Sequence, residues 1–248
     1  MPYRRVFFEK NQPVHIVSRA VPGLEIYRTE ADCFKLIFQF YVANIGRRNF
    51  NVSAKDVIKV GQDLLQGEKI SSHFIIKEHP PLVDLLDFSL VITHHHLYLL
   101  PKVANIIPIL VKKLNQAFAL SFNLAHNRRD AVFGSRYKGI VVKTNFQSDA
   151  VSRYVSIINP LDVFQPGWRE NGLKNWKEAF EFLESYLFSS FPDKIGKRRS
   201  TILAPQEILE RYSPNFSNKE DYKKFVESFL KQKLSTFQPF FLESNSGY

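Results

Sequence analysis

The protein has 248 residues, of which 44% are hydrophobic and 14% aromatic, so the chain can bury a large core and is not expected to be disordered. No apolar run reaches the roughly 18 residues that a membrane span needs, so we expect a soluble protein. The formal net charge of +10 favours a polyanionic partner, and we expect nucleic acid and no membrane, with an anionic membrane surface as the weaker rival. A single cysteine and no apolar segment of signal-peptide length near the start favour a cytoplasmic protein.

The chain opens with a predicted strand and a predicted helix. VHIVSRA, residues 14–20, has the character of a strand and is followed by the turn sequence VPG. Thr29 is placed to cap a helix in which apolar residues recur at helical spacing. Residues 46–83 are interpreted as an insertion, with a helical pattern in SAKDVIKVGQDLLQ and a loop at the prolines of HFIIKEHPPLVD.

Two strands and a long helix are predicted next. The strands cover residues 86–93 and 95–100, and the helix is the amphipathic stretch NIIPILVKKLNQAFALSFNLAH. Asn105 is the expected cap of this helix, which places Pro108 in the first turn, where a missing N–H costs nothing.

A last strand, residues 137–144, and a short helix near 148–157 complete the order β-α-β-β-α-β, which predicts an α/β, ferredoxin-like split βαβ fold with an antiparallel sheet. We therefore expect a catalytic or binding domain at residues 1–162 and a helical C-terminal extension at 163–248. Helical patterns in this extension lie at residues 175–188, 205–212 and 218–234.

FSLVITHHHLYLLPK places His94, His95 and His96 inside an apolar strand. Because side chains alternate along a strand, His94 and His96 point to one face and His95 to the other. Two imidazoles on one face can hold a divalent metal, and Mg²⁺ or Mn²⁺ would require oxygen ligands to complete the shell. Histidines hydrogen-bonded at a strand end give the same pattern, so H-x-H alone leaves both interpretations open.

Several motifs in order resemble one family. LVITHHHLYLLP, a long amphipathic helix, NRRDAVFGSRYKGIVV and SRYVSIINPLDVF together look like the single-tyrosine HUH transposases, closest to the branch associated with repetitive extragenic palindromes. VHIVSRAVPGLEIYRTEADCFKLIFQF and FLESYLFSSFPDKIG are also similar to that family, so the resemblance runs from residue 14 to about residue 196.

The resemblance implies a metal-dependent single-stranded DNA endonuclease and strand transferase, or transposase, that acts on hairpin DNA. His94 and His96 would be metal ligands for Mg²⁺ or Mn²⁺, and Tyr154 the nucleophile that forms a covalent 5′-phosphotyrosine. A tyrosine hydroxyl titrates near pH 10, so its environment must activate it for this attack. His95 stands where the family usually has a hydrophobic residue, and we expect it to pack on the core side.

The sequence departs from the family at the third metal ligand. An asparagine or glutamine is expected four residues after the tyrosine, but Ile158 occupies that position and Asn159 comes five residues after Tyr154. Five residues of a regular α-helix rotate by about 140°. Either a π-bulge or an early helix end brings Asn159 back to the metal, or the site has decayed; we favour the first.

Basic residues near these motifs are candidate DNA contacts. Gly134 and Ser135 differ from the family's usual glutamine and glycine, whereas the cations that follow them match the family's pattern. The predicted nucleic-acid-binding residues are Arg128, Arg129, Arg136, Lys138 and Arg153.

Two other functions remain possible from the sequence. One is a domesticated relative that binds DNA hairpins without catalysis, and the other is a metal-dependent hydrolase in which water replaces the tyrosine. The resemblance allows a monomer or a homodimer.

Overall fold

In a computed structural model that describes residues 7–212 and 219–231, four strands form one antiparallel sheet and two more form a separate two-stranded sheet. The strands are β1 (Val14–Arg19), β2 (Gly46–Arg48), β3 (Ile75–Lys77), β4 (Val83–Val91), β5 (His94–Pro101) and β6 (Lys138–Val141). The sheet has the order β4-β5-β1-β6, and β2 pairs with β3.

Helices surround the sheet. They are α1 (Glu30–Ile45), α2 (Ala54–Gln66), α3 (Ile106–Ala125), α4 (Asn145–Arg153), α5 (Asn159–Phe164), α6 (Trp168–Asn171), α7 (Trp176–Ser185), α8 (Phe191–Lys194), α9 (Gln206–Tyr212) and α10 (Lys219–Lys231). A five-residue π-helix, Tyr154–Ile158, joins α4 to α5. Among the described residues, no helix combines the length and the apolar character needed to cross a bilayer.

The predicted fold class is confirmed. With β2, α2 and β3 set aside, the elements run β1-α1-β4-β5-α3-β6, and their spatial order is that of the ferredoxin-like fold. Asn115 of α3 donates to Ser18 Oγ, at 3.0 Å, on one face of the sheet. The ring of Tyr154 packs against His15 on the other face. The sheet therefore lies between α1 and α3 on one side and the tyrosine-bearing helix on the other.

Two predicted helix caps have different outcomes. Thr29 caps α1 as expected, and Asp32 completes a capping box by accepting from the Thr29 N–H at 3.2 Å. The Asn105 prediction is wrong: α3 begins after it, but Asn105 has a left-handed φ of 56° and makes no capping hydrogen bond. Its Oδ1 accepts instead from the Phe8 N–H at 3.3 Å, which joins the N-terminal segment to the start of α3.

The predicted insertion contains more structure than the sequence indicated. Its helical pattern is α2, as expected, but Ile75–Lys77 is a strand rather than part of a loop. Backbone contact explains this, because a Cβ added at Gly46 would lie 2.1 Å from the Ile76 carbonyl oxygen. Glycine thus allows β2 and β3 to approach closely, and the two prolines follow only after the strand.

Several predicted boundaries also change. The strand expected at 137–144 is limited to β6, and the helix expected from 148 begins at Asn145, because Thr144 accepts from the Gln147 N–H and caps it. The C-terminal helical patterns correspond to α7, α9 and α10; their predicted parts at 218 and 232–234 lie outside the described residues.

The segment between α7 and α9 lies along the outer strand β4. The Leu90 N–H donates to the Phe188 carbonyl, and the Ala204 N–H to the Leu85 carbonyl, each at 2.9 Å. The C-terminal region therefore packs directly on the sheet.

Candidate active site

The register of β1 and β5 gathers polar side chains on one face of the sheet. His94 lies opposite Arg19 and His96 opposite Val17, and directly paired residues of antiparallel strands point to the same face. His15, two residues before Val17 along β1, shares this face. The predicted separation of the histidines is confirmed, since His95 lies on the other face and its Nδ1 is 2.8 Å from the Tyr27 hydroxyl.

The helix that covers this face is not a regular α-helix. Between Tyr154 and Asn159 it forms a π turn, in which the Asn159 N–H donates to the Tyr154 carbonyl oxygen five residues earlier. The π-bulge that we favoured from the sequence is therefore present. A turn of five residues absorbs the extra residue, so Tyr154 and Asn159 lie one turn apart on the same side.

The aromatic rings of the site are in mutual contact. The centroid of the His96 ring lies 4.8 Å from that of His94 and 5.5 Å from that of Tyr154. Tyr154, His96 and Asn159 are fully buried, and His94 is 6% exposed. The structure therefore brings together the predicted nucleophile and its predicted histidine neighbours in a closed arrangement.

His15 is a site residue that the sequence analysis missed. Its Nε2 lies 3.0 Å from His96 Nδ1, and its ring centroid lies 5.9 Å from that of Tyr154. This bond fixes the orientation of the His96 ring, so that His96 Nε2 points away from His15. The strand VHIVSR contained a signal for this residue, because His15 and Arg19 are four residues apart and therefore lie on the same face of the strand.

Arg169, from α6, is a second missed residue. Its guanidinium lies 5.4 Å from the centroid of the Tyr154 ring, and its Nη2 donates to Asn159 Oδ1 at 3.1 Å. Asp162 holds this guanidinium through both carboxylate oxygens and also accepts from the Trp168 indole N–H at 2.9 Å. Arg169, in the C-terminal region, thus covers the site. No motif in the sequence predicted this contact.

Burial keeps the imidazoles of the site neutral. Burial, followed by the charges of Arg19 and neighbouring histidines, holds the pKa values of His94 and His96 well below the ordinary range. Burial alone lowers the pKa of His15 to about 3. Neutral imidazole is the form that binds a metal.

The donor set of the site suits a divalent cation. Within the part of the chain that the structure describes, His96 Nε2 is buried and makes no hydrogen bond. Asn159 Oδ1 has a second lone pair besides the one used by Arg169. No group of three His, Cys, Asp or Glu side chains in residues 7–212 and 219–231 is arranged to bind a metal, so a complete shell here needs carboxamide and substrate oxygens.

The predicted basic residues lie in different places. Lys138 is exposed and pairs with Val17, which puts it on the site face. Arg136, Arg128 and Arg129 lie in the segment after α3, which meets the end of β1 through the Gly134 N–H and the Arg19 carbonyl.

Arg153 differs from these cations. It pairs with Asp149 at 2.8 Å and its guanidinium lies 5.1 Å from the centroid of the Phe225 ring, so its described contacts join α4 to α10. Arg19, which is exposed beside His94, is a cation that the sequence analysis did not select.

A buried ionic network contacts the π turn and supports it. Lys194 of α8 is 1% exposed at its side chain and pairs with Asp87 of β4, which is fully buried. The Lys194 ammonium also donates to Ser156 Oγ at 2.9 Å and to the Ser152 carbonyl at 3.3 Å. Ser152 and Ser156 lie on either side of Tyr154 in sequence, so this network fixes the turn that carries the tyrosine.

Comparisons with known proteins give one structural likeness. No protein-family model matches the sequence, and no curated protein is similar to it at a significant level. A solved structure described as "Structure of the REP associates tyrosine transposase bound to a REP hairpin" is similar with 13% sequence identity and a TM-score of 0.46. The match covers 83% of this chain and 92% of that chain.

Proposed function

We propose that the protein is a metal-dependent single-stranded DNA endonuclease and strand transferase that acts on hairpin DNA through Tyr154. The π turn carries this proposal, because it places Tyr154 and Asn159 one turn apart beside the two histidines despite the extra residue between them. The sequence motifs that resemble the single-tyrosine HUH transposases and the net charge of +10 support it.

The proposed reaction exchanges one phosphate ester for another. Tyr154 Oη attacks the scissile phosphorus and gives up its proton, a Tyr154–phosphorus bond forms, and the bond from phosphorus to the 3′ oxygen breaks. The leaving 3′ oxygen takes up a proton, which leaves a 5′-phosphotyrosine and a free 3′-hydroxyl. The reverse attack by a 3′-hydroxyl rejoins DNA without an external energy source, because the ester bond is conserved.

His94, His96 and Asn159 would hold the Mg²⁺ or Mn²⁺ ion. When bound, such an ion polarises the phosphoryl oxygens and stabilises the charge that develops on them. The residues of the chain then have separate tasks: His15 orients His96, and Arg169 fixes the Asn159 carboxamide through its oxygen.

Access to Tyr154 requires a movement, because the side chain is fully buried. Arg169 is the covering residue, and the short helix that carries it lies between Gly167 and Gly172, which have φ values of 77° and 75°. Glycine allows these two junctions to change conformation at little cost. We expect α6 to move away when single-stranded DNA enters the site.

The test of this function is covalent capture of DNA. Purified protein is incubated with a panel of labelled hairpin oligonucleotides that have single-stranded flanks, in Mn²⁺ or in EDTA, and products are separated on a denaturing gel. We expect an adduct in Mn²⁺ that is absent in EDTA and in His96→Ala. Hairpin binding without any adduct or cleavage across the panel would contradict the proposal.

The second candidate is a hairpin-binding protein without catalysis. The closed site favours this alternative, because Tyr154 is fully buried and the Asn159 carboxamide oxygen already accepts from Arg169. The two candidates differ in the adduct alone, since both require the basic surface to bind DNA.

Replacing His15 by alanine is expected to weaken Mn²⁺ binding by about 10- to 100-fold, as found when a group that orients a metal ligand is removed. The physical reason is that His96 loses the partner of its Nδ1 and the ring can turn. Mn²⁺ titration followed by electron paramagnetic resonance measures this without DNA.

His95→Ala is the matched control, since His95 is also buried and hydrogen-bonded but on the other face. Equal Mn²⁺ affinities in the two variants would show that His15 does not orient the metal site.

A further inference from the structure

An unusually exposed aromatic side chain lies in the turn that follows β2. Phe50 is 84% exposed, more than any other large hydrophobic residue of the described chain. The Arg47 guanidinium lies 5.6 Å from the centroid of its ring. We call Arg47 and Phe50 the insertion platform.

Hydrogen bonds of Asn49 hold the backbone of the insertion platform. Asn49 donates from its N–H to the Phe74 carbonyl and from its Nδ2 to the His73 carbonyl, each at 3.0 Å. Its Oδ1 accepts from the N–H of the next residue, Phe50, at 2.8 Å. Phe50 is therefore exposed on an ordered turn that these bonds anchor, so its backbone needs little further ordering when a flat partner binds.

Positive charge lies near this ring. Arg47 contacts it directly. Arg48 and Lys77 are exposed on the same two strands, although the Arg48 guanidinium also donates to the Val52 carbonyl. Glu78 pairs with Arg47 at 2.7 Å and reduces this charge in part. Lys77 also lines a cavity of about 1130 Å³ between β4 and the segment before α9, whose lining includes Lys102, Lys197 and Arg199 together with Asp84 and Asp193. An aromatic ring among cations is the arrangement that single-strand binders use to stack a base and contact phosphates.

The insertion platform lies near the C-terminal end of α1, whereas His94 lies near its N-terminal end. The N-terminal end of α1 follows the segment in which the Ile26 N–H donates to the Ile92 carbonyl, beside His94, and its C-terminal end leads directly into Gly46. Helix α1 has 16 residues, which correspond to a length of about 24 Å. The insertion platform and His94 therefore lie near opposite ends of this helix.

We propose that the insertion platform is a second nucleic-acid contact, in which an unpaired base stacks on Phe50 while Arg47 contacts an adjacent phosphate. This inference rests on the proposed function in that the base on Phe50 would belong to an unpaired loop or flank of the same DNA that reacts at Tyr154. The proposal gives a function to the insertion at 46–83, which has no part in the reaction at Tyr154.

Fluorescence in EDTA tests the contact independently of cleavage. Phe50→Trp is titrated with two probes, (dT)20 and a hairpin oligonucleotide with a (dT)10 flank, and the quenching is compared with that of the unsubstituted protein. We expect additional quenching in Phe50→Trp, and about 5- to 150-fold weaker binding in Phe50→Ala, the range measured for loss of one stacked base.

Leu120 supplies the matched control, because it is 66% exposed on α3 and its neighbours within one helical turn carry no charge. Leu120→Trp is expected to show no additional quenching, and Leu120→Ala unchanged affinity. Absence of quenching in Phe50→Trp, or equal affinities of Phe50→Ala and the unsubstituted protein, would overturn the proposal.

Polyglutamate is the remaining arm. Quenching of Phe50→Trp by polyglutamate as strong as that by DNA would identify an acidic protein as the partner and overturn the nucleic-acid assignment. Because no metal is present, failure to form an adduct at Tyr154 would leave these results unchanged, so the two proposals fail separately.

Discussion

Replacing Tyr154 by phenylalanine is expected to abolish covalent attachment of DNA, with adduct formation reduced by at least about 10³-fold, as for removal of a nucleophile. Only the hydroxyl is lost. The ring contacts with His15, His96 and Arg169 remain, so the fold and the affinity for hairpin DNA should change little. Denaturing gels in Mn²⁺ measure the adduct, and binding in EDTA measures the affinity.

Tyr98→Phe is the matched control for this substitution. Tyr98 is also fully buried, lies two residues beyond His96 on the same face, and bonds through its hydroxyl to Ser148 Oγ at 2.8 Å. This variant should retain the adduct. An adduct of equal yield in Tyr154→Phe would assign the nucleophile elsewhere.

Replacing Lys194 by methionine is expected to lower the free energy of unfolding by about 3–5 kcal/mol, the cost of removing one partner of a buried ion pair. Asp87 would be left fully buried without its ammonium partner, although Ser152 and Ser190 still donate to it. Burial already raises the pKa of Asp87, and Lys194 opposes that rise. Urea unfolding measures the change.

Two further variants separate this effect from a general effect of losing a lysine. Lys197→Met removes a half-exposed pair with Glu184, which should cost at most about 1 kcal/mol. The double variant Lys194→Met with Asp87→Leu should recover most of the loss, because no buried charge then lacks a partner. A Lys194→Met variant as stable as Lys197→Met would contradict the role given to the network.

The network also explains how the π turn is maintained. A π turn is less favourable than a regular helix and persists where other contacts support it. Here Lys194 and Ser156 both donate to the Ser152 carbonyl, two residues before the π-helix begins. The extra residue between Tyr154 and Asn159 is therefore compensated by a lysine that lies 40 positions after the tyrosine.

The sequence allowed prediction of those features that local patterns encode. The alternation of His94, His95 and His96, the Thr29 cap and the order of the core elements follow from periodicity and capping chemistry. The π turn was one of two explanations for the position of Asn159, and the structure selects it.

Other features depend on contacts between distant residues and have no local signal. Arg169 reaches Tyr154 through the pairing of its guanidinium with Asp162, and Lys194 reaches Ser156 from another helix. Asn105 looked like a cap but serves Phe8 instead. The strand at Ile75–Lys77 requires Gly46, about thirty residues earlier, to allow close approach. Such contacts are set by the tertiary fold, which sequence pattern does not describe.

The central claim is that Tyr154 becomes bonded to DNA, and the most direct measurement is mass spectrometry of the trapped complex. Protein incubated with a hairpin oligonucleotide and Mn²⁺ is digested with nuclease and trypsin, and the peptides are searched for a nucleotide adduct. We predict a nucleotide 5′-phosphate on Tyr154, in the peptide that begins with this residue after cleavage at Arg153 or in the longer peptide where the adduct blocks that cleavage. An adduct on another tyrosine, or cleaved DNA with no protein adduct at all, would contradict the account.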